Sequence, residues 1–303
     1  SVMAPNVPAL LEAHYGVPMI GAVLNALNIR LDAANIAFIL DHAETKFLIM
    51  DRMFAPIIRE ALEIADANPV VIDIDDPLDQ SGELLGEKDY EAFLLEGDPE
   101  FDWQPPADEW QALSLNYTSG TTGDPKGVVL SVENVGSNVR AISDLLHLSP
   151  ADTALGVLPF FHSYGYTTAL WVPLTLEPAV VYHTNPLDAK MVGKLARDHH
   201  ATVLMATPTF LRTYIRGTEA DELSTLEVVF GAAEKLTLDV TDAFENKFGV
   251  RPCEAYGATE LSPLVAANVP PTRHVPGKAV DAREGTVGKP ILGCTAKITD
   301  REG

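Results

Sequence analysis

Tyr117-Thr118-Ser119-Gly120-Thr121-Thr122-Gly123-Asp124-Pro125-Lys126-Gly127 follows the apolar stretch 112–115 and leads into Val128-Val129-Leu130. Its glycines let a backbone turn through φ > 0 and approach an anion closely. Inward N–H groups and the serine and threonine hydroxyls add donors, and Lys126 adds a point charge. The stretch reads as a phosphate clamp, with a nucleotide polyphosphate as the ligand such a loop suits best. A Walker A loop needs Gly-Lys-Ser/Thr in direct succession, whereas Asp124 and Pro125 separate Gly123 from Lys126, so this is a different phosphate loop. A flexible connector is the bland alternative for any Ser/Thr/Gly-rich turn, yet a connector has no need of Pro125-Lys126-Gly127 directly ahead of an apolar run.

Working outward, strand-length apolar runs alternate with amphipathic stretches, the pattern of an α/β protein with layered, largely parallel sheets covered by helices. Strands are expected at 46–50, 70–74, 112–116, 153–158, 179–182, 202–206, 227–231 and 251–255. Asp32 is placed to cap a helix running to His42, Ser131 one running to His147, and Asn185-Pro186 one running to His199. Proline and acid density rise and periodicity vanishes across 97–110, which reads as a connector between a lobe over 1–96 and a nucleotide-binding lobe over 111–283. Residues 284–303 read as turn, strand and turn, the start of a small β subdomain.

The formal net charge is −22. That charge repels nucleic-acid backbones and anionic membrane surfaces, so no nucleic-acid partner is expected and any ATP site must be locally basic. Acid is concentrated between Glu60 and Glu109, where Lys88 is the only basic residue, and a solvated face is the default reading of such a run. The two cysteines, Cys253 and Cys294, form no CxxC and no Cys/His cluster, which argues against a disulfide framework or a zinc site. No apolar run approaches the ~18 residues of a membrane span, and the start lacks a basic-then-apolar leader. A cytoplasmic protein without a membrane span is expected.

Three further stretches carry chemistry. Tyr256-Gly257-Ala258-Thr259-Glu260 follows a short strand, so its side chains should emerge at the carboxyl end of a parallel sheet, where open α/β proteins bind ligands. It offers a flat aromatic face, a neutral donor and a hard oxygen ligand suited to a hard cation. Gly231-Ala232-Ala233-Glu234 either lets backbone groups reach an adenine edge or marks tight helix packing. In Leu158-Pro159-Phe160-Phe161-His162-Ser163-Tyr164-Gly165, His162 is a core histidine, a base beside Ser163 or the wall of a carboxylate pocket. Phe161 stands where a nucleophile elbow needs its first glycine, which disfavours a serine hydrolase. Tyr164, Tyr166, Trp171 and Phe210 are either the lining of an acyl tunnel or plain core.

These four stretches, in this order, resemble the signature of the AMP-forming adenylating enzymes: acyl-CoA and acyl-acyl-carrier-protein synthetases, luciferases and peptide-synthetase adenylation domains. The resemblance implies ATP and Mg2+ as cofactors. Thr118 to Gly123 and Lys126 would hold phosphates, residues 231–234 the adenine edge and Tyr256-Gly257 the adenine face. Thr259 would bond the α-phosphate, Glu260 would hold Mg2+, and His162 would wall the carboxylate pocket. The implied activity is a fatty acid or other carboxylic acid activated as an acyl-adenylate and passed to the phosphopantetheine thiol of CoA or of acyl carrier protein. Residues 233–236 and 261–270 resemble the fatty-acid branch, especially the acyl-acyl-carrier-protein synthetases, whereas 3–8 and 23–28 resemble short- and medium-chain acyl-CoA synthetases. In that family a strand and a helix precede the region of Met3. Beyond the position of Gly303 come a ribose-binding aspartate, a hinge and a mobile domain with a catalytic lysine. The resemblance thus implies an adenylation core truncated at both ends, with little turnover of its own. The alternative is a nucleotide-binding or pseudo-enzyme module that keeps the fold without turnover.

Overall fold

The computed structural model describes residues 1–77, 79, 81–118, 123–275 and 282–300. They group into two compact units, 1–133 and 134–303. The sequence places a connector at 97–110; in the structure the hairpin that follows it belongs to the first unit.

In the first unit, strands β1 (Val2–Met3), β2 (Phe47–Asp51), β3 (Val70–Ile74) and β4 (Lys88–Asp89) pair in parallel in that order. The helix Ala33–His42 starts where expected, because Asp32 accepts a hydrogen bond from the Asn35 N–H at 2.9 Å and satisfies a donor that has no partner within the helix. The helix Ala55–Ile64 turns Ala55, Ile58 and Ala61 inward at helical spacing and leaves Arg59, Glu60 and Glu63 outward. Both helices pack on Met3, Leu48 and Met50 to form one apolar core. Each large side chain buried there contributes roughly 1.5–3 kcal/mol. Strands β5 (Ala112–Thr118) and β6 (Lys126–Ser131) form a separate antiparallel hairpin.

The second unit carries a seven-stranded sheet built from β7 (Thr153–Gly156), β8 (Ala179–Tyr182), β9 (Val203–Ala206), β10 (Val228–Gly231), β11 (Cys253–Gly257), β12 (Leu264–Ala267) and β13 (Lys289–Pro290). Their order is β13-β12-β11-β10-β9-β7-β8. From β8 to β11 the pairing is parallel; β12 and β13 are antiparallel additions at one edge. Helices Ala189–Asp198, Pro208–Gly217 and Leu238–Phe248 connect the parallel strands. The first of them opens later than the sequence suggests. Asp188 caps it through the Met191 N–H, while Asn185 closes a tight turn by accepting from the Leu187 N–H. Among the described residues no helix is long and apolar enough to cross a membrane.

Candidate active site

The first unit carries the ends of the phosphate loop. In the β5/β6 hairpin Thr118 pairs with Lys126 and Tyr117 with Gly127. Thr118 Oγ1 lies 3.5 Å from the Lys126 carbonyl. The Lys126 side chain is exposed and makes no ion pair among the described residues, so its ammonium is available to an anion. Gly123 lies at the surface at the far end of the loop. Ser119, Gly120, Thr121 and Thr122 lie outside the described residues.

The second unit gathers the other predicted groups at the carboxyl ends of its parallel strands, because each motif is the first segment after a strand. Past β7 comes His162, past β10 come Ala232 and Ala233, and past β11 come Ala258 and Thr259. His162, Ala233, Tyr256 and Thr259 share a cleft of about 190 Å³. Ser163 Oγ lies 3.2 Å from Thr259 Oγ1, which joins the segment after β7 to the segment after β11.

His162 caps the helical stretch 163–176: its Nδ1 accepts from the Tyr164 N–H at 3.2 Å. With Nδ1 so engaged, the neutral ring carries its proton on Nε2 and is a donor, not a base toward Ser163. Surrounding protein desolvates the ring and lowers its pKa, although one edge is open to water. Ser163 is buried on Thr259; that arrangement is no Ser-His nucleophile pair. The stretch continues as a π-type turn over Tyr166–Trp171. Of the aromatic residues in question, Tyr164 faces the cleft, whereas Tyr166 is fully buried and meets Trp171 edge-on at 6.0 Å.

Tyr256 keeps its side chain half in solvent, with its aromatic face available to a planar ligand. Gly231 is buried, and Ala233 adopts φ +69°, a left-handed backbone that costs a β-carbon-bearing residue roughly 1–2 kcal/mol. The Glu234 carboxylate accepts from Thr209 Oγ1 at 2.7 Å, so it is held toward the helix Pro208–Gly217. Glu260 is exposed and takes no hydrogen bond or ion pair among the described residues. A single free carboxylate fits Mg2+, which retains waters and takes its remaining oxygens from phosphate. Among the described residues there is no cluster of three metal-binding side chains.

One supporting residue escaped the sequence reading. Asn138 donates from Nδ2 to the Leu261 and Leu264 carbonyls at 3.3 and 3.0 Å, and its Oδ1 accepts from the Leu264 N–H at 3.2 Å. It braces the turn that carries Thr259 and Glu260. The available signal was a polar residue on the buried face of the helix Val132–Leu146, between Val135 and Val139 on one side and Ala141 and Ile142 on the other.

The whole chain, residues 1–303, matches the AMP-binding enzyme family, and it belongs to that family. It is 34% identical over 279 residues to an acetate/butyrate–CoA ligase of Arabidopsis thaliana, covering 86% of this chain and 48% of that protein. It is 44% identical over 231 residues to an acetate–CoA ligase of Humulus lupulus, covering 71% of this chain and 40% of that protein. A medium-chain-fatty-acid–CoA ligase of Ectopseudomonas oleovorans is 32% identical over 97% of this chain and 55% of its own length. The chain thus spans about half the length of these relatives. Among solved structures, the anthranilate CoA ligase AuaEII in complex with anthranoyl-AMP superimposes with a TM-score of 0.87 at 21% identity, over all of this chain and 56% of the other. At that identity the likeness establishes the adenylate-forming fold.

Proposed function

We propose that this chain is the core of an ATP-dependent acid–thiol ligase that activates a short- to medium-chain carboxylic acid and passes it to CoA. The observation that carries this reading is the convergence of His162, Ala233, Tyr256 and Thr259 on one cleft at the carboxyl ends of parallel strands. CoA is preferred to acyl carrier protein, and short to medium chains to long ones, because the relatives named above are CoA ligases for acetate, butyrate and medium-chain acids.

In the first step a carboxylate oxygen attacks the α-phosphorus of ATP. The bond to the bridging oxygen breaks, and pyrophosphate leaves with the electron pair. In the second step a thiol attacks the acyl carbonyl, loses its proton, and AMP departs as the thioester forms. No protein nucleophile is required; the chain's residues position groups and offset charge. On this reading Lys126 would bind the polyphosphate, Thr259 would donate to the α-phosphate, and Tyr256 would cover the adenine. His162 presents Nε2–H to the carboxylate. Glu260 would hold a Mg2+, which when bound would neutralise charge developing on the departing pyrophosphate.

The test is carboxylate-dependent exchange of pyrophosphate into ATP by the intact protein, across acetate, butyrate, octanoate and palmitate. Lys126→Ala and Glu260→Ala are each expected to depress exchange at least 100-fold, the loss typical of one removed transition-state contact. Undiminished exchange in both variants rejects the site assignment, and preference for palmitate rejects the chain length. ATP binding without exchange under every acid makes the protein a nucleotide-binding module instead.

A further inference from the structure

The donors of the phosphate loop explain its glycines and its lysine, but not the tyrosine with which it begins. Tyr117 is the penultimate residue of β5 and stands opposite Gly127 of β6. A β-carbon on Gly127 would lie 3.2 Å from Tyr117 Cζ and 2.9 Å from Leu115 Cδ1. The tyrosine ring therefore lies over residue 127, where any side chain would have to push the ring and Leu115 aside. The hydroxyl then reaches beyond the hairpin: Tyr117 Oη and His42 Nδ1 are 2.7 Å apart.

His42 is the last residue of the helix Ala33–His42, and that helix is part of the apolar core of the first unit. Phe38, one turn earlier, stacks on the imidazole with ring centres 5.4 Å apart and planes at 16°. The Tyr117 ring meets the imidazole edge-on at 5.8 Å and 78°. The histidine is thus oriented by a helical neighbour before it reaches the tyrosine. Burial raises the Tyr117 pKa, so its hydroxyl keeps its proton and is available to the ring nitrogen.

We infer that His42 is a positioning residue for the phosphate loop: through Tyr117 it ties the β5/β6 hairpin to the core helix and so sets where Thr118 and Lys126 present themselves to a polyphosphate. Tyr117 and Gly127 form one rung of the hairpin, and Thr118 and Lys126 form the next. Freedom at the first rung becomes freedom at the second, and a lysine that must be ordered on binding gives up affinity. The inference rests on reading 117–127 as the nucleotide loop.

The experiment measures the affinity of the 303-residue chain for MgATP by titration calorimetry, beside its thermal midpoint. Tyr117→Phe keeps the ring over Gly127 and removes only the hydroxyl; His42→Ala removes the other partner. Each is expected to weaken MgATP roughly three- to tenfold, the scale of one hydrogen bond, with little change in midpoint. The double variant should be no weaker than either single one. His42→Gln, which can still bond the hydroxyl, should return affinity to within about twofold of wild type, a rescue that loss of packing alone would not show. In the intact enzyme the same variants should raise KM for ATP while kcat and the KM for the acid stay close to wild type. MgATP affinity equal to wild type in all four variants overturns the inference and leaves the nucleotide reading standing. A wild-type chain that does not bind MgATP overturns the nucleotide reading, and this inference with it.

Discussion

Gly257 shows how tightly single residues are specified at the cleft. The Ala258 N–H donates to the Pro263 carbonyl at 2.9 Å, closing the turn on which Thr259 and Glu260 sit. A β-carbon at residue 257 would lie 2.2 Å from that same oxygen. The obstacle is backbone and cannot swing aside as a flexible side chain would. Gly257→Ala is therefore expected to destabilise the protein by roughly 1–3 kcal/mol, the cost of forcing extra atoms into a packed site. A denaturant titration checks it; an unchanged midpoint would mean that the turn yields freely. The motif marked Gly257 as a binding residue from the sequence, but the reason for glycine lies six residues further on and became visible only once the turn had closed. Asn138 is the converse case, because its partners at 261 and 264 lie on a segment remote in sequence.

At the scale of elements, what was legible follows distance along the chain. Val70–Ile74 and Ala179–Tyr182 are strands with the expected bounds, since β-branched runs between turn residues favour extended backbone on their own. The short strand Leu264–Ala267 was not expected, and of the turn, strand and turn read over 284–303 the strand among the described residues is the two-residue Lys289–Pro290; the first exists by pairing to β11 and the second by pairing to the first. The same holds for the ion pair that ties the start of the parallel sheet to the segment before β13. Arg273 bonds Asp152, which also accepts from the Ser149 N–H and from Thr202 Oγ1. Burial alone would raise the Asp152 pKa; the Arg273 contact and these hydrogen bonds outweigh it and hold the carboxyl below the ordinary range. Both side chains are largely buried, so removing Asp152 leaves the guanidinium with only the half-exposed Glu227 as a partner and strips Ser149 and Thr202 of their acceptor. Asp152→Ala is expected to cost about 3–5 kcal/mol, measured by chemical denaturation. A loss under about 1 kcal/mol would show that the pair is solvated as a surface bridge would be.

At the scale of the whole molecule, one contribution to acid stability comes from a group that stays uncharged when folded. His14 is 1% exposed inside the helix Pro8–Met19, and burial pushes its pKa down to about 4, a shift that its hydrogen bond with the Leu10 carbonyl offsets only in part. The unfolded chain takes up that proton near pH 6.5 and the folded chain only near pH 4. Between these values the unfolded state binds more protons, so stability falls as pH falls and levels off below the folded pKa. The group is expected to account for about 3 kcal/mol over that window. The measurement is unfolding free energy against pH for wild type and His14→Leu. The difference between the two curves should slope between pH 6.5 and 4, and a flat difference would show that His14 titrates normally when folded. Taking the difference also removes the changing self-repulsion of a chain with formal charge −22.

The amino-acid sequence by itself determined the α/β class, most parallel strands, the Asp32 cap and the order of the four motifs. These depend on backbone preferences and side-chain chemistry carried by residues close together in the chain. Tertiary structure decided which groups meet: Ser163 on Thr259, Asn138 beneath Leu264, Arg273 on Asp152 and His42 on Tyr117. Those contacts join residues that only the closed sheets bring within hydrogen-bonding distance. No local preference specifies them, because their energy is gained only after the chain between the partners has been ordered.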